Sequence, residues 1–471
     1  MIINEIYLND LNWKSSETSL PQILFSFLSS LKAPFLLESS YGRSSDSNRY
    51  SFIGADPFLT IESERNKINI TREGKSDISF GNPLETLHSL IEEFKAVPHK
   101  EIPFTGGAVG YLSYEAGEHI ECIPERKKDV FSLPDIHFNF YDTIFIVDHL
   151  QSKLFISSTG FPEKGIKKKK KSDDRINQFI SLIKGERKNT SQRSRIGRIS
   201  SNFGKEEYFG EVEKIKKYIE NGDIYQANLS HRFSATFEGN PFSLYQKFAT
   251  ANPVPFSAFM ELPGLSVISN SPERFLSLRG NVIESRPIKG TISREGDNNK
   301  DILRQKALRE SKKDMAEHIM IVDLVRNDLG RVCKYGTVKV NRLMDIESYA
   351  NLHHMVSTIS GEINDGISPV DCIRAAFPGG SITGAPKVRA MEIIHEIEQC
   401  PRWIYTGSIG YIGFDGSMDL NIAIRTAFIK NGKVYFSAGG GIVADSTPES
   451  EYEETLLKGE IFKKIASGRE D

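Results

Sequence analysis

Cysteine is scarce in this chain: four in 471 residues, at Cys122, Cys333, Cys372 and Cys400, with no CxxC pair among them. That scatter argues against a disulfide framework and a thiolate zinc site. No GxSxG or GxCxG elbow occurs, so the chain carries no sign of an acyl-transfer nucleophile or of a glutaminase activity of its own. An excess of charge of one sign is missing too. The 60 Lys and Arg are matched by 62 Asp and Glu, a formal net charge of -2, which gives no global field for nucleic acid or a membrane surface. No stretch approaches the roughly 18–20 apolar residues of a membrane span. The opening MIINEIYLNDLNWKSS mixes acidic and polar residues with its apolar ones, unlike a signal peptide. A reducing cytoplasm is the expected location. Two tempting motifs also fail. PGGSITGAPK (378–387) lacks the contiguous Gly-Lys-Ser/Thr of a phosphate loop, and Asp415–Asn421 lacks the Gly and terminal Glu of a calcium loop.

What is present is the composition of a globular enzyme, long enough to bury a core without staples. Short apolar runs bounded by turn residues read as antiparallel strands: FLLES (35–39), YSFIGADPFLTIE (50–62), GGAVGYLSY (106–114), TIFIVDH (143–149), and later LSVIS, FLSLR, VIESR, IGYIGF, IAIRTAFI and VYFSAG. Helical spacing marks Leu84–Phe94 and Lys205–Glu220, the latter closing at Asn221-Gly222. There is no regular βαβ alternation and no repeat. The expected fold class is α+β: two packed, largely antiparallel sheets with helices on their outer faces. A polar, basic stretch, including Lys167–Lys171, divides the chain into an N-terminal domain (1–162), a linker region (163–203) and a catalytic domain (204–466). The lysine run reads as a solvated loop rather than an anion patch, since no aromatics interleave it.

Two acidic pairs have i, i+3 spacing: Asp314 with Glu317, and Glu451 with Glu454. On helices, each pair presents two carboxylates on one face. Thr447 and Pro448 mark the start of the second helix, and Ser311 with Asp314 offers a capping box for the first. Taken alone, such pairs are more often solvated surface than metal site. Together, with oxygen donors only, they suit Mg2+.

The segments SPERFL (271–276), RPIKGTISR (286–294), KDMAEHIMIVDLVRNDLGRV (313–332), HHMVSTISG (353–361), FPGGSITGAPK (377–387), YTGSIGYIG (405–413), LNIAIRT (420–426) and SAGGGIVADSTPESEYEET (437–455) follow one another in a familiar order. In them the chain resembles the chorismate-utilising enzymes, the family of the anthranilate synthase and aminodeoxychorismate synthase large subunits and of the isochorismate and salicylate synthases. The N-terminal half resembles the matching domain more loosely, through LLES (36–39) and FTGGAVGYLSYE (104–115).

The resemblance implies a reaction and a site. PIKGT, where anthranilate synthases typically carry PIAGT, resembles the aminodeoxychorismate synthase branch and singles out Lys289. Its amine would attack C2 of chorismate and be displaced by ammonia at C4, a role that calls for a neutral amine. The alternative is a lysine that only contacts the substrate. Glu273 would protonate the departing 4-hydroxyl, or else pair with a nearby Arg. Glu317 and Glu454 would ligate Mg2+ directly, with Asp314 and Glu451 reaching it through water. Arg425 and Tyr405 would hold the enolpyruvyl group. Thr291, His354, Thr383 and Lys387 would line the pocket, Lys387 matching the general base of isochorismate-forming relatives. Gly439, Gly440 and Gly441 would bring backbone amides near a carboxylate, unless they are only a strand-end turn. Glu38, Ser39 and Ser40 would edge a tryptophan pocket. The implied partners are chorismate, ammonia and a glutamine amidotransferase subunit, and the implied pathway leads to p-aminobenzoate and folate. The rival readings are an anthranilate synthase large subunit and a non-catalytic tryptophan-binding scaffold.

Overall fold

The computed structural model describes residues 1–7, 19–40, 48–185, 194–460, 462 and 464. Two large sheets face each other, and every strand pairing within them is antiparallel. The first sheet runs in the order Ile2–Ile6, Lys153–Ser158, Thr143–Asp148, Tyr50–Gly54, Phe35–Glu38, Phe256–Leu262, Leu265–Ser271, Thr426–Lys430, Lys433–Ile442, Gln226–Glu238 and Arg195–Ile196. The second runs from Ile288–Ser293 through Leu352–Glu362, Val282–Arg286, Arg274–Arg279, Met418–Asn421, Ser408–Gly413, Gly107–Leu112, Ile136–Tyr141, Leu59–Glu64 and Lys67–Arg72 to Lys75–Phe80.

Strand periodicity explains how the layers stack. In Thr143–Asp148, Ile144 and Ile146 point between the sheets while Phe145 and Val147 point outward. In Gly107–Leu112, Val109 and Tyr111 point inward while Ala108 and Leu112 point outward. The inter-sheet layer is aromatic, with the Phe52 and Tyr411 rings 5.5 Å apart across it. Helices Leu20–Leu28, Gly165–Lys184 and Pro241–Ala251 cover the outer face of the first sheet. Helix Lys312–Gly330 packs on the second sheet, helices Lys205–Glu220 and Lys387–Ile397 pack on strand Gln226–Glu238 of the first, and these join helices Pro83–Glu93 and Pro369–Ala376 in one continuous core cluster. This is the expected fold class.

Strands from both 1–162 and 204–466 occur in each sheet, so these two stretches of chain build one sandwich. In the intervening region, residues 186–193 lie outside the described residues, as does the expected boundary at 466. The lysine run corrects the loop reading: Lys167–Lys171 form the early turns of helix Gly165–Lys184. Buried Ile176, Phe179 and Ile183 anchor that helix to the sheet, and lysine, a good helix former, extends it outward. Among the described residues, no helix is long and apolar enough to cross a membrane.

Two of the places where the chain crosses between the sheets lie side by side. One crossing joins Leu265–Ser271 to Arg274–Arg279, and the other joins Met418–Asn421 to Thr426–Lys430. The Ile422 N–H donates to the Glu273 carbonyl at 3.0 Å, and the Ser271 hydroxyl donates to the Ile422 carbonyl at 2.6 Å. These crossings carry Glu273 and Arg425.

Candidate functional site

Glu273 sits at the first crossing, 4% exposed. The Ser381 hydroxyl donates to its Oε1 at 2.7 Å, and the Ile288 N–H points to the same oxygen at 3.4 Å. Burial pushes its carboxyl up to about 7, against the opposing pull of those donors and of the Lys289 charge. A carboxyl that holds its proton near neutrality is fitted to act as an acid. It lines a recess with Arg274, Pro287, Asp328 and Ser381. Arg274 spends its guanidinium on Asp419 and Glu284, each at 2.8 Å, so Glu273 is not held in that ion pair.

Lys289 lies on the edge strand Ile288–Ser293, with its Nζ 3.8 Å from Glu317 Oε2. A Cβ built on Gly441 would stand 3.0 Å from that amine and 2.2 Å from the Gln226 amide nitrogen. The bare backbone therefore admits both side chains, and any larger residue at 441 would displace them. Gln226 is buried, and among the described residues its Oε1 has no hydrogen-bond partner. Sequence reasoning passed over it because an isolated Gln in a strand carries no spacing signal. Ser381 was missed for the same reason.

The acidic pairs converge on this place from two helices. Ser311 caps Lys312–Gly330 by accepting from the Asp314 N–H at 3.3 Å, and Thr447 caps Pro448–Lys458 by accepting from the Ser450 N–H. Asp314 packs against Gly290, and Glu451 and Glu454 lie over Gly440, whose Cβ, if added, would stand 3.0 Å from Glu451 Oε2. Burial raises the Glu451 carboxyl above its ordinary range, opposed by the Ser446 hydroxyl. Its Oε2 is buried without a hydrogen-bond partner among the described residues. Lysines interleave the acids: Lys313 is 3.8 Å from Glu451, and Lys458 is 2.6 Å from Glu454. Among the described residues, no three His, Cys, Asp or Glu side chains form a ready-made metal cage. The donors still fit a hard divalent cation, being oxygen only and including one buried, unpartnered carboxylate oxygen.

Arg425 occupies the second crossing in a left-handed backbone conformation, φ 50°, unusual for a residue with a side chain. Burial lowers its guanidinium to about 10, and among the described residues it makes no ion pair. Its neighbour His354 is buried, and burial together with the Arg425 charge drives its pKa well below the ordinary value, leaving a neutral ring. The Nδ1 of His354 meets the Thr291 hydroxyl at 2.9 Å, and among the described residues its Nε2 has no hydrogen-bond partner. A desolvated cation beside a neutral, half-satisfied imidazole makes an anion receptor.

Other expected residues are committed elsewhere. Thr383 donates to the Gly379 carbonyl at 3.0 Å within its own turn. Lys387 donates to Asp328 Oδ2 and the Ala376 carbonyl, both at 2.7 Å, behind the Glu273 recess. Tyr405 is buried, its hydroxyl pushed above its usual range by desolvation. Glu38 is engaged by Ser19, Gln22 and Tyr245 at 2.6, 3.0 and 2.6 Å, and Ser40 bonds the Val254 backbone. Among the described residues, the Ser39 hydroxyl has no hydrogen-bond partner.

The model of the chorismate binding enzyme family matches residues 33–464. The chain is 38% identical over 434 residues to the aminodeoxychorismate synthase component 1 of Bacillus subtilis, covering 91% of this chain and 90% of that one. It is 40% identical over 449 residues to the anthranilate synthase component 1 of Acetivibrio thermocellus, covering 93% and 91%. The crystal structure of anthranilate synthase component I from Streptococcus pneumoniae superposes with a TM-score of 0.79 at 31% identity, covering 88% and 92%.

Proposed function

The chain belongs to the chorismate binding enzymes, and from that premise we propose that it aminates chorismate at C4, giving 4-amino-4-deoxychorismate. The observation that carries the reading is the placement of the Lys289 amine, beside Gly441 and 3.8 Å from Glu317. The anthranilate synthase relatives keep direct amination at C2 as the competing outcome.

In the proposed sequence, Arg425 and His354 take a carboxylate of chorismate. The Lys289 nitrogen bonds to C2, the ring double bonds shift, and the C4–O bond breaks. The departing hydroxyl takes the Glu273 proton and leaves as water. Ammonia then bonds to C4, the double bonds return, and the C2–N bond of the still-protonated adduct breaks to free Lys289 as a neutral amine, while the new C4 ammonium returns a proton to Glu273. The sum is chorismate plus ammonia giving aminodeoxychorismate plus water. Glu317 and Glu454, with Asp314 and Glu451 behind them, would hold Mg2+, which would neutralise the ring carboxylate and anchor it. The absence of a glutaminase motif and the relatives' designation as component 1 support a second subunit that releases ammonia from glutamine.

The test is a product assay with chorismate, Mg2+ and ammonium, read by mass spectrometry and fluorescence. A non-fluorescent aminated chorismate that a lyase converts to p-aminobenzoate supports the reading. Fluorescent anthranilate with released pyruvate overturns it.

A further inference from the structure

Lys289 stands in an irregular stretch of its strand. Ile288 pairs with Val356 and Thr291 with His354, three residue steps against two, so Lys289 and Gly290 together oppose the single residue Met355. Gly290 takes the left-handed conformation, φ 82°, and a Cβ there would stand 3.0 Å from Leu308 and 3.2 Å from Asp314. Such a bulge re-aims the side chain it carries and leaves backbone groups that the ladder cannot serve. A second bulge lies across the same partner strand, Leu352–Glu362. On strand Lys339–Ser348, Arg342 pairs with Thr358 and Asp345 with Val356, so Leu343 and Met344 oppose Ser357. Met344 is left-handed as well, φ 56°.

One side chain reaches both bulges. His318 is fully buried on helix Lys312–Gly330, one residue after Glu317 and one turn after Asp314. Its Nε2 meets the Ser357 hydroxyl at 2.6 Å, and the same oxygen accepts from the Met344 N–H at 3.0 Å. The Ser357 N–H donates to the Pro287 carbonyl at 3.2 Å, which ties the serine to the strand of Lys289. With Oγ accepting from Met344, the Ser357 proton goes to His318 Nε2, and the imidazole proton is left on Nδ1. Burial lowers the ring to about 4, against the pull of the Lys289 backbone carbonyl, so the imidazole is neutral. A backbone group that favours a proton on this ring is an acceptor, and it faces the nitrogen that carries one. Among the described residues the Nδ1 contact falls short of a fully aligned hydrogen bond. Bonds of this kind tighten when substrate completes a site.

We propose that His318 is a positioning residue for Lys289: locked in one tautomer by Ser357, its Nδ1–H holds the Lys289 carbonyl within the bulge and so aims the amine. Helix Lys312–Gly330 then addresses Lys289 twice, with Glu317 3.8 Å from the Nζ and His318 at the backbone. A turn of the peptide at 289 would swing the amine away from the carbon it attacks. A misplacement of about 1 Å costs on the order of a hundredfold in rate. This inference rests on the amination reading, in which Lys289 is the nucleophile.

The test is steady-state product formation by the full chain with Mg2+ and saturating ammonium, varying chorismate, alongside calorimetric Mg2+ affinity. An Asn amide can take the place of the imidazole Nδ1, and a Gln amide that of Nε2. His318→Gln keeps a partner for Ser357 and loses the one for Lys289. Its kcat is expected to fall about a hundredfold, while KM for chorismate and the Mg2+ affinity hold within about twofold. His318→Asn restores a donor to the Lys289 carbonyl and is expected to bring kcat back to within about fivefold of wild type. Should neither chain fold, Ser357→Ala removes the tautomer lock and leaves the ring in place, and kcat is expected to drop about threefold or more at constant KM. Equal kcat losses in the Asn and Gln variants overturn the positioning role. So does wild-type kcat in His318→Gln or, where that chain does not fold, in Ser357→Ala. A rise in KM or a loss of Mg2+ affinity that matches the fall in kcat overturns it too, since the helix and its acids would then have moved. A wild-type chain that yields anthranilate overturns the amination reading instead, whatever the variants do.

Discussion

Glu273→Gln separates what the buried acid does for the reaction from what it costs the fold. The native carboxyl keeps its proton up to about 7, whereas an unfolded chain releases it near the ordinary 4.5. Between those values the native state binds the extra proton, so wild-type stability is fullest below about 4.5, falls as pH rises through the window, and levels off above it. At 1.36 kcal/mol per pH unit the whole window is worth roughly 3 kcal/mol, of which about 2 kcal/mol falls between pH 5.5 and 8.5. A glutamine resembles the protonated acid: its oxygen still accepts from Ser381 and Ile288, and it has no charge to desolvate. Urea unfolding of the ligand-free protein should therefore show Glu273→Gln gaining on wild type by about 2 kcal/mol from pH 5.5 to 8.5. The same variant should lose about 10²–10⁴ in kcat, because the leaving hydroxyl has no proton source. Wild-type turnover should decline above about pH 7 as the acid ionises. A stability difference that is the same at both pH values would refute the reasoning.

Lys289→Ala should lower C4 amination by at least about a hundredfold, followed by mass spectrometry of the product, with chorismate binding retained. Arg425→Lys keeps the charge but loses the planar fork, and KM for chorismate should rise about tenfold. Gly440→Ala places a methyl 3.0 Å from Glu451 Oε2 and 3.7 Å from Glu454 Oε1, so calorimetric Mg2+ affinity should fall several-fold, about 1 kcal/mol, with little change in melting temperature.

Local signals in the sequence carried the elements well. Thr447-Pro448 starts its helix as its cap chemistry requires, and helix Lys205–Glu220 ends at Asn221 before Gly222 in a positive-φ conformation. Period-2 alternation located most strands. It failed at IAIRTAFI, where the apolar run suggests one strand from Ile422. The strand begins at Thr426, because residues 422–425 form the crossing that carries Arg425. Of the residues that the resemblance singled out, Glu273, Lys289, Thr291, His354 and the four helix carboxylates lie near one another, whereas Thr383, Lys387 and Glu38 are bonded elsewhere. What pattern could not convey was partnership across the chain, such as Ser381 on Glu273, 108 residues apart, or Gln226 beside Lys289. Nor does any local feature distinguish Lys387 facing a substrate from Lys387 buried against Asp328.

The sharing of both sheets between distant parts of the chain bears on how the protein is made. Phe35–Glu38 gains one neighbour only when Phe256–Leu262 exists, and Gly107–Leu112 gains one only with Ser408–Gly413. A ribosome adding about 5–20 residues per second needs roughly 15–60 s to travel from residue 112 to residue 408. Throughout that interval the nascent N-terminal half presents open strand edges and the aromatic face of Phe52, Phe104 and Tyr111. The first half therefore completes its sheets only after the second half has emerged. Expressing the two halves separately would leave each with unpaired sheet edges.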